Sequence, residues 1–278
     1  MNVIDYFFTA HYWSISWFLI LAGTFMAYYL AIKPVRQQWA SLFIAFSLFY
    51  MAVGSPLAHL PQFGLHSMAM LQQILLLLVI PVFLWKALPA RYGIALLSTF
   101  SNGFIYAWFI GATAMWGAHF LSAAQLSAIT GNAICGISAS ASSWVTSIPK
   151  EVLLGVLLVS GILFTEPVFN PCPERRIAPL PSVVYLFLSC ASCSLLGLWV
   201  VFSASSATAE SMIPLVSSFN NPLPLSPKAD QELAGMLMWV PGCVLYVTAS
   251  VHILLKWLEG DTKSELKKIQ ITFKNQSK

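Results

Sequence analysis

Residues Met68–Lys86 read MAMLQQILLLLVIPVFLWK, an apolar run that meets its first formal charge only at Lys86. A run of this length suits a membrane-crossing helix, and the amides of Gln72 and Gln73 inside it should then face protein rather than lipid. Pro81 lies within the run. Six further runs flank it, at about 12–32, 39–53, 93–116, 151–164, 182–202 and 233–258. The fifth is short and needs support from upstream residues or neighbouring helices; the Ser-, Ala- and Gly-rich residues 117–148 before it give a weak signal. Only 9% of the 278 residues are charged and 58% are hydrophobic, with a mean hydropathy of +0.76. A soluble chain could not keep such a surface wet, and a disordered one would carry far more charge. The expected fold is all-α and polytopic, with seven transmembrane helices over residues 1–258 and a C-terminal tail over 259–278.

The basic residues give the expected orientation. Lys33, Arg36, Lys86, Arg91, Arg175, Arg176, Lys256 and five tail lysines fall at one set of span ends, 12 of 14 in all, while Lys150 and Lys228 fall at the other. The positive-inside rule then places the N-terminus outside and the C-terminus inside. Orientation therefore accounts for the net charge of +4, and nucleic acid is not an expected partner. No basic n-region or clear cleavage site opens the chain, so the first span is expected to stay in the protein.

With that topology His11, His59, His66 and His119 gather at or beyond the outer face, and only His252 does not. Imidazole and thioether together suit soft or borderline metals, copper in particular. His66 and His119 are the candidate ligands, with Met68, Met70 and Met115 as soft supplements. The alternative is that these side chains pack and anchor, and no two of the four histidines stand at the i,i+4 spacing of one helix face. Cys190, Cys193 and Cys243 share a mid-bilayer depth and read first as packing residues, with a thiol metal site as the alternative; Cys135 stands alone outside.

The seventh run opens with DQELAGMLMWVPG, Asp230–Gly242. Carboxylates suit the first turn of a helix, Gly235 allows close helix approach, and Pro241 should bend the span. Asp230, Glu232, Gly235, Met238, Trp239 and Pro241, with Gln72 and Gln73, form the expected structural or partner interface. Lys150 and Glu151 read as anchors at the membrane boundary. Ser138, Ser140, Ser142 and Ser143 read as an irregular outer segment, and without a nucleophile–base set no enzyme is expected.

The Asp230–Gly242 string, Ser55-Pro56-Leu57, the stretch LQQILL (Leu71–Leu76) followed by Pro81, and GILF (Gly161–Phe164) followed by Pro167-Val168 together resemble the CtaG family. Its members are seven-span membrane proteins associated with assembly of cytochrome c oxidase and its copper centre. The resemblance runs over roughly residues 10–258. It implies the bacterial inner membrane, a respiratory oxidase subunit or complex as partner, and a role in oxidase assembly or maturation, with copper handled at the outer face. The chain also departs from the family. Ala69 and Gln73 stand where a His-x-x-x-His pair opens the third span, and Lys150 and Leu154 where a second pair precedes the fifth-span motif. Trp116-Gly117-Ala118-His119 replaces a Trp-His-x-Pro motif, and Thr165 and Glu166 replace paired aromatics. A chain without those histidines could instead serve as a non-catalytic accessory subunit of an oxidase complex.

The orientation predicts that a cysteine placed at position 2 is labelled by an impermeant thiol reagent in intact cells. One placed at position 278 should be labelled only after the membrane is opened.

Overall fold

Inside a bilayer every backbone N–H and C=O must be satisfied within the chain, which makes helices the solution for apolar runs of this kind. The computed structural model describes residues 13–63, 65–92, 96–97, 100, 102–130, 134–137, 147–206 and 225–276. Among the described residues, seven helices are long and apolar enough to cross a membrane. They are α1 (Ile15–Ile32), α2 (Arg36–Val53), α3 (His66–Ala87), α4 (Gly103–Thr130), α5 (Lys150–Phe169), α6 (Pro179–Ser206) and α7 (Pro227–Gln276). Helix α3 carries the core, with Met70, Leu76 and Ile80 fully buried, whereas α1 has no buried residue. His11 and Ser138, Ser140, Ser142 and Ser143 lie outside the described residues. The backbone of α7 stays helical past Leu258 and Glu259 to Gln276.

Hydrogen bonds between elements define two ends of the bundle. At one, Asp230 near the start of α7 meets the start of α3, and the Lys150 ammonium at the start of α5 donates to the Ala58 carbonyl in the 3-10 segment Pro56–Phe63. At the other, the Tyr28 hydroxyl donates to Ala87 O at 2.5 Å, Arg91 to Ile32 O at 2.8 Å and the Cys172 thiol to Ala90 O at 3.0 Å.

Two spans differ from the sequence expectation. The fourth does not run over 93–116: α4 begins at Gly103, and Leu96 and Leu97 lie outside any helix. Their backbone N–H groups donate at 2.9 and 2.8 Å to the carboxylate of Glu166, which is fully buried. Instead α4 continues through the Ser- and Ala-rich stretch to Thr130. Alanine favours helix, and the hydroxyls of Ser122 and Ser127 bond back to the carbonyls of His119 and Ala124, so these serines expose no unmet polar group. His119 consequently lies within α4 and is fully buried, rather than beyond the end of its span. The fifth span needs no upstream help, because α5 runs through Glu166 and Pro167 to Phe169.

Packing at the centre depends on a local widening of α3. Residues Leu75–Val79 form a π turn, with the Ile80 N–H bonded back to Leu75 O. Pro81 offers no N–H to the Leu77 carbonyl one turn earlier. Gly161 of α5 rests against this stretch: a Cβ there would lie 2.4 Å from Leu77 O and 2.8 Å from Leu76 O. Both atoms are backbone and cannot swing aside. Gly161→Ala should therefore destabilise the protein by about 1–3 kcal/mol, read as a lower midpoint of thermal unfolding in detergent. Gly155→Ala on the same helix meets nothing within 4 Å and should leave the midpoint unchanged or raise it.

Candidate metal centre

Three side chains of metal-ligating type from distant parts of the chain converge where α7 meets α3. His66 is the first residue of α3, His119 lies in α4, and Cys135 sits in a tight turn beyond α4. In that turn Ile134 and Ile137 exchange backbone hydrogen bonds of 3.0 and 2.9 Å, while Cys135 and Gly136 take φ values of 54° and 77°. Two successive residues of positive φ close a two-residue turn, and glycine accepts the second place without strain. Cysteine holds the first against the usual preference of L-residues, at a cost of roughly 1–2 kcal/mol. The turn folds the thiol back onto the helices.

One ligand atom from each of the three residues lies within 4.8 Å of the others. His66 Nε2 and Cys135 Sγ are 3.8 Å apart, close to the separation that metal–nitrogen and metal–sulfur bonds of about 2.0 and 2.3 Å produce at one ion. The two imidazoles meet edge to face, centroids 5.3 Å apart. All three residues are buried, and His66 Nδ1 and both ring nitrogens of His119 have no hydrogen-bond partner among the described residues. Leaving such a nitrogen unmet costs on the order of 1–3 kcal/mol, a cost that ligation through one His119 nitrogen would relieve, whereas ligation through His66 Nε2 leaves Nδ1 of that ring as it is. A thiol with two imidazoles is a donor set for copper(I) or zinc. Burial pushes the Cys135 thiol up to about 11, against the downward pull of hydrogen bonds from Ser203 and Gln231. The thiol therefore keeps its proton at neutral pH until a cation displaces it.

The dipeptide Asp230-Gln231 holds this arrangement in place. Asp230 accepts the backbone N–H of His66 at 2.6 Å and that of Ser67 at 3.2 Å, and the Ser67 hydroxyl as well. It is an N-cap for α3 supplied from a residue 164 positions away. Gln231 Nε2 reaches Cys135 Sγ at 3.5 Å, Ser203 Oγ at 3.1 Å and the Val200 carbonyl at 3.2 Å. One residue thus fixes the backbone under His66, and the next touches the thiol.

The other candidate residues divide by position. Met70 and Met115 each stand one helical turn from a clustered histidine, on the same face as His66 and His119 respectively, and both are core residues. Met68 leaves that face and packs, half-buried, with Leu60 and Leu65. Gln72 Nε2 donates to Ala52 O of α2 at 2.8 Å, and Gln73 Nε2 to Ser122 Oγ of α4 at 3.0 Å. A Cβ on Gly235 would meet Gly197 O at 2.7 Å, so α6 and α7 touch backbone to backbone there; Met238 is buried beneath. Glu232 pairs with Lys228 at 4.0 Å across one turn, Trp239 is exposed on the apolar surface, and Pro241 is half-buried. The mid-bilayer cysteines join α6 to α7, with Cys190 and Cys243 sulfurs 3.1 Å apart. Cys135 was absent from the expected ligands; its one sequence signal was a Cys-Gly pair, which suits a tight turn, in a polar stretch.

The four positions that depart from the paired histidines of the CtaG pattern, Ala69, Gln73, Lys150 and Leu154, line one cavity of about 430 Å³. No described histidine lines that cavity; His66 and His119 stand in the separate cluster beside Cys135.

These features define a polytopic helical membrane protein with a buried His-His-Cys cluster near one end of the bundle. The chain belongs to the CtaG family, whose model, described as cytochrome c oxidase caa3 assembly factor (Caa3_CtaG), matches residues 26–260. No curated protein and no solved structure matches it.

Asp230→Ala leaves two backbone donors at the start of α3 without their acceptor, and should destabilise the protein by about 2 kcal/mol or more. Asp230→Asn keeps one carbonyl oxygen and should cost about half as much. Thermal unfolding of the two purified variants beside wild type measures both.

Proposed function

We propose that this protein is a non-catalytic assembly factor for a caa3-type cytochrome c oxidase, and that it holds copper(I) as cargo on His66, His119 and Cys135. The observation that carries the copper reading is the convergence of these three buried groups within 4.8 Å, with imidazole nitrogens that meet no partner among the described residues. The thiol supplies the soft donor that favours copper(I) over harder ions, and the imidazoles complete a low coordination number that suits it. Burial of all three keeps water away from the cargo. Met70, one turn after His66 in α3, and Met115, one turn before His119 in α4, supply buried thioethers on the same helix faces. Family membership supports the partner, an oxidase under assembly.

The orientation belongs to the same reading. The basic residues favour an outside N-terminus in a bacterial cytoplasmic membrane, which turns the histidine end outward. Copper would then be held at the outer face of the membrane.

Purified wild-type protein exposed to copper(I) should retain roughly one ion per chain, as one three-donor site requires. The His66→Ala/His119→Ala double variant and Cys135→Ser should each lose most of that copper while still inserting into the membrane. Equal copper in all three preparations would reject the ligand assignment. Affinity capture from native membranes should recover oxidase subunits in substoichiometric amount; stoichiometric recovery would instead favour a permanent accessory subunit.

A further inference from the structure

We infer that the cavity enclosed by α3, α4 and α5 near the histidine end is a binding site for an anionic phospholipid with a hydroxyl-bearing headgroup. The cavity measures about 430 Å³, within the range of small-molecule sites. Most of its wall is aliphatic, including Leu153, Leu154 and Leu157 of α5. Two polar side chains in that wall have unmet requirements, and together they specify a headgroup.

The first is Lys150. Its ammonium is half-buried and donates to the Ala58 carbonyl, a neutral acceptor. Glu151, next in sequence, attracts it electrostatically, but no described carboxylate comes within the 4.0 Å of a direct ion pair. An ammonium withdrawn from water calls for a counter-charge, and a phosphate oxyanion supplies one while using its remaining donors. The second is Gln73, only 3% exposed, whose Nε2 is spent on Ser122 while Oε1 has no partner among the described residues. An orphaned amide oxygen calls for a donor, which an ionised phosphodiester cannot provide and a headgroup hydroxyl can. The aliphatic wall takes up the glycerol backbone and first acyl carbons of a lipid, a contact free phosphate cannot make. Phosphatidylglycerol meets all three requirements. Phosphatidic acid lacks the added headgroup hydroxyl, and phosphatidylcholine lacks both net charge and donor. This inference is independent of the copper reading, because none of the three clustered ligands lines the cavity.

The test is lipid titration of the delipidated full-length protein in detergent, with bound lipid counted by native mass spectrometry and copper content measured in parallel. Wild type should bind phosphatidylglycerol at least roughly tenfold more tightly than phosphatidylcholine, and Lys150→Met should lose that preference, whereas Lys150→Arg should keep it. Gln73→Met should weaken phosphatidylglycerol by roughly three- to tenfold and leave phosphatidic acid unchanged. Copper content should stay at the wild-type level in Lys150→Met. Equal binding of phosphatidylglycerol by wild type and Lys150→Met, or equal binding of phosphatidylglycerol and phosphatidylcholine by wild type, would overturn the assignment. So would full competition by inorganic phosphate at the affinity of the lipid, which would assign the cavity to a free oxyanion.

Discussion

A helix leaves its first backbone N–H groups without intrahelical partners, and near a membrane interior few waters are at hand to take them. In this chain the carboxylate of Asp230 accepts those of His66 and Ser67, together with the Ser67 hydroxyl. The positive end of the α3 dipole and the negative side chain favour one another across the junction. The most buried helix of the bundle is thereby tied to α7, and the position of His66 follows from the same contact. If Asp230 were lost, the start of α3 would have to find new acceptors or fray, and His66 would move with it.

Glu166 uses the same device at the other side of the bundle, where a fully buried carboxylate accepts the N–H groups of Leu96 and Leu97. Both carboxylates satisfy backbone donors, so each fixes a segment from across the bundle. Neighbouring polar groups extend the pattern. Gln72 takes a carbonyl of α2, Gln73 a hydroxyl of α4, and Gln231 a thiol, a hydroxyl and a carbonyl. In a medium where unmet polar groups are costly, these few residues set the register of helices whose apolar faces would slide with little penalty.

The number of spans was legible because hydropathy integrates over about twenty residues and tolerates local errors. The limits of α4 were not, because serine counts as polar although Ser122 and Ser127 bond within their own helix. The apolar residues before Asn102 likewise resembled helix, while the carboxylate that holds Leu96 and Leu97 outside it lies some 70 positions away. At the site, His66 and His119 could be nominated by residue type, but their convergence depends on the crossing of α3 and α4, which no spacing encodes. Cys135 reaches them only through a turn with a strained cysteine. The Asp230–Gly242 string pointed to α7 as an architectural element, yet that Asp230 caps α3 and Gln231 touches Cys135 is visible only once α7 is laid against both.

The central claim is that His66, His119 and Cys135 form one soft-metal site held by the start of α7. X-ray absorption of the purified protein loaded with copper(I) tests it most directly. The account predicts a first shell of one sulfur at about 2.3 Å and two nitrogens at about 2.0 Å, the distances usual for thiolate and imidazole. A shell of nitrogen and oxygen without sulfur, or one built from sulfur alone, would contradict it.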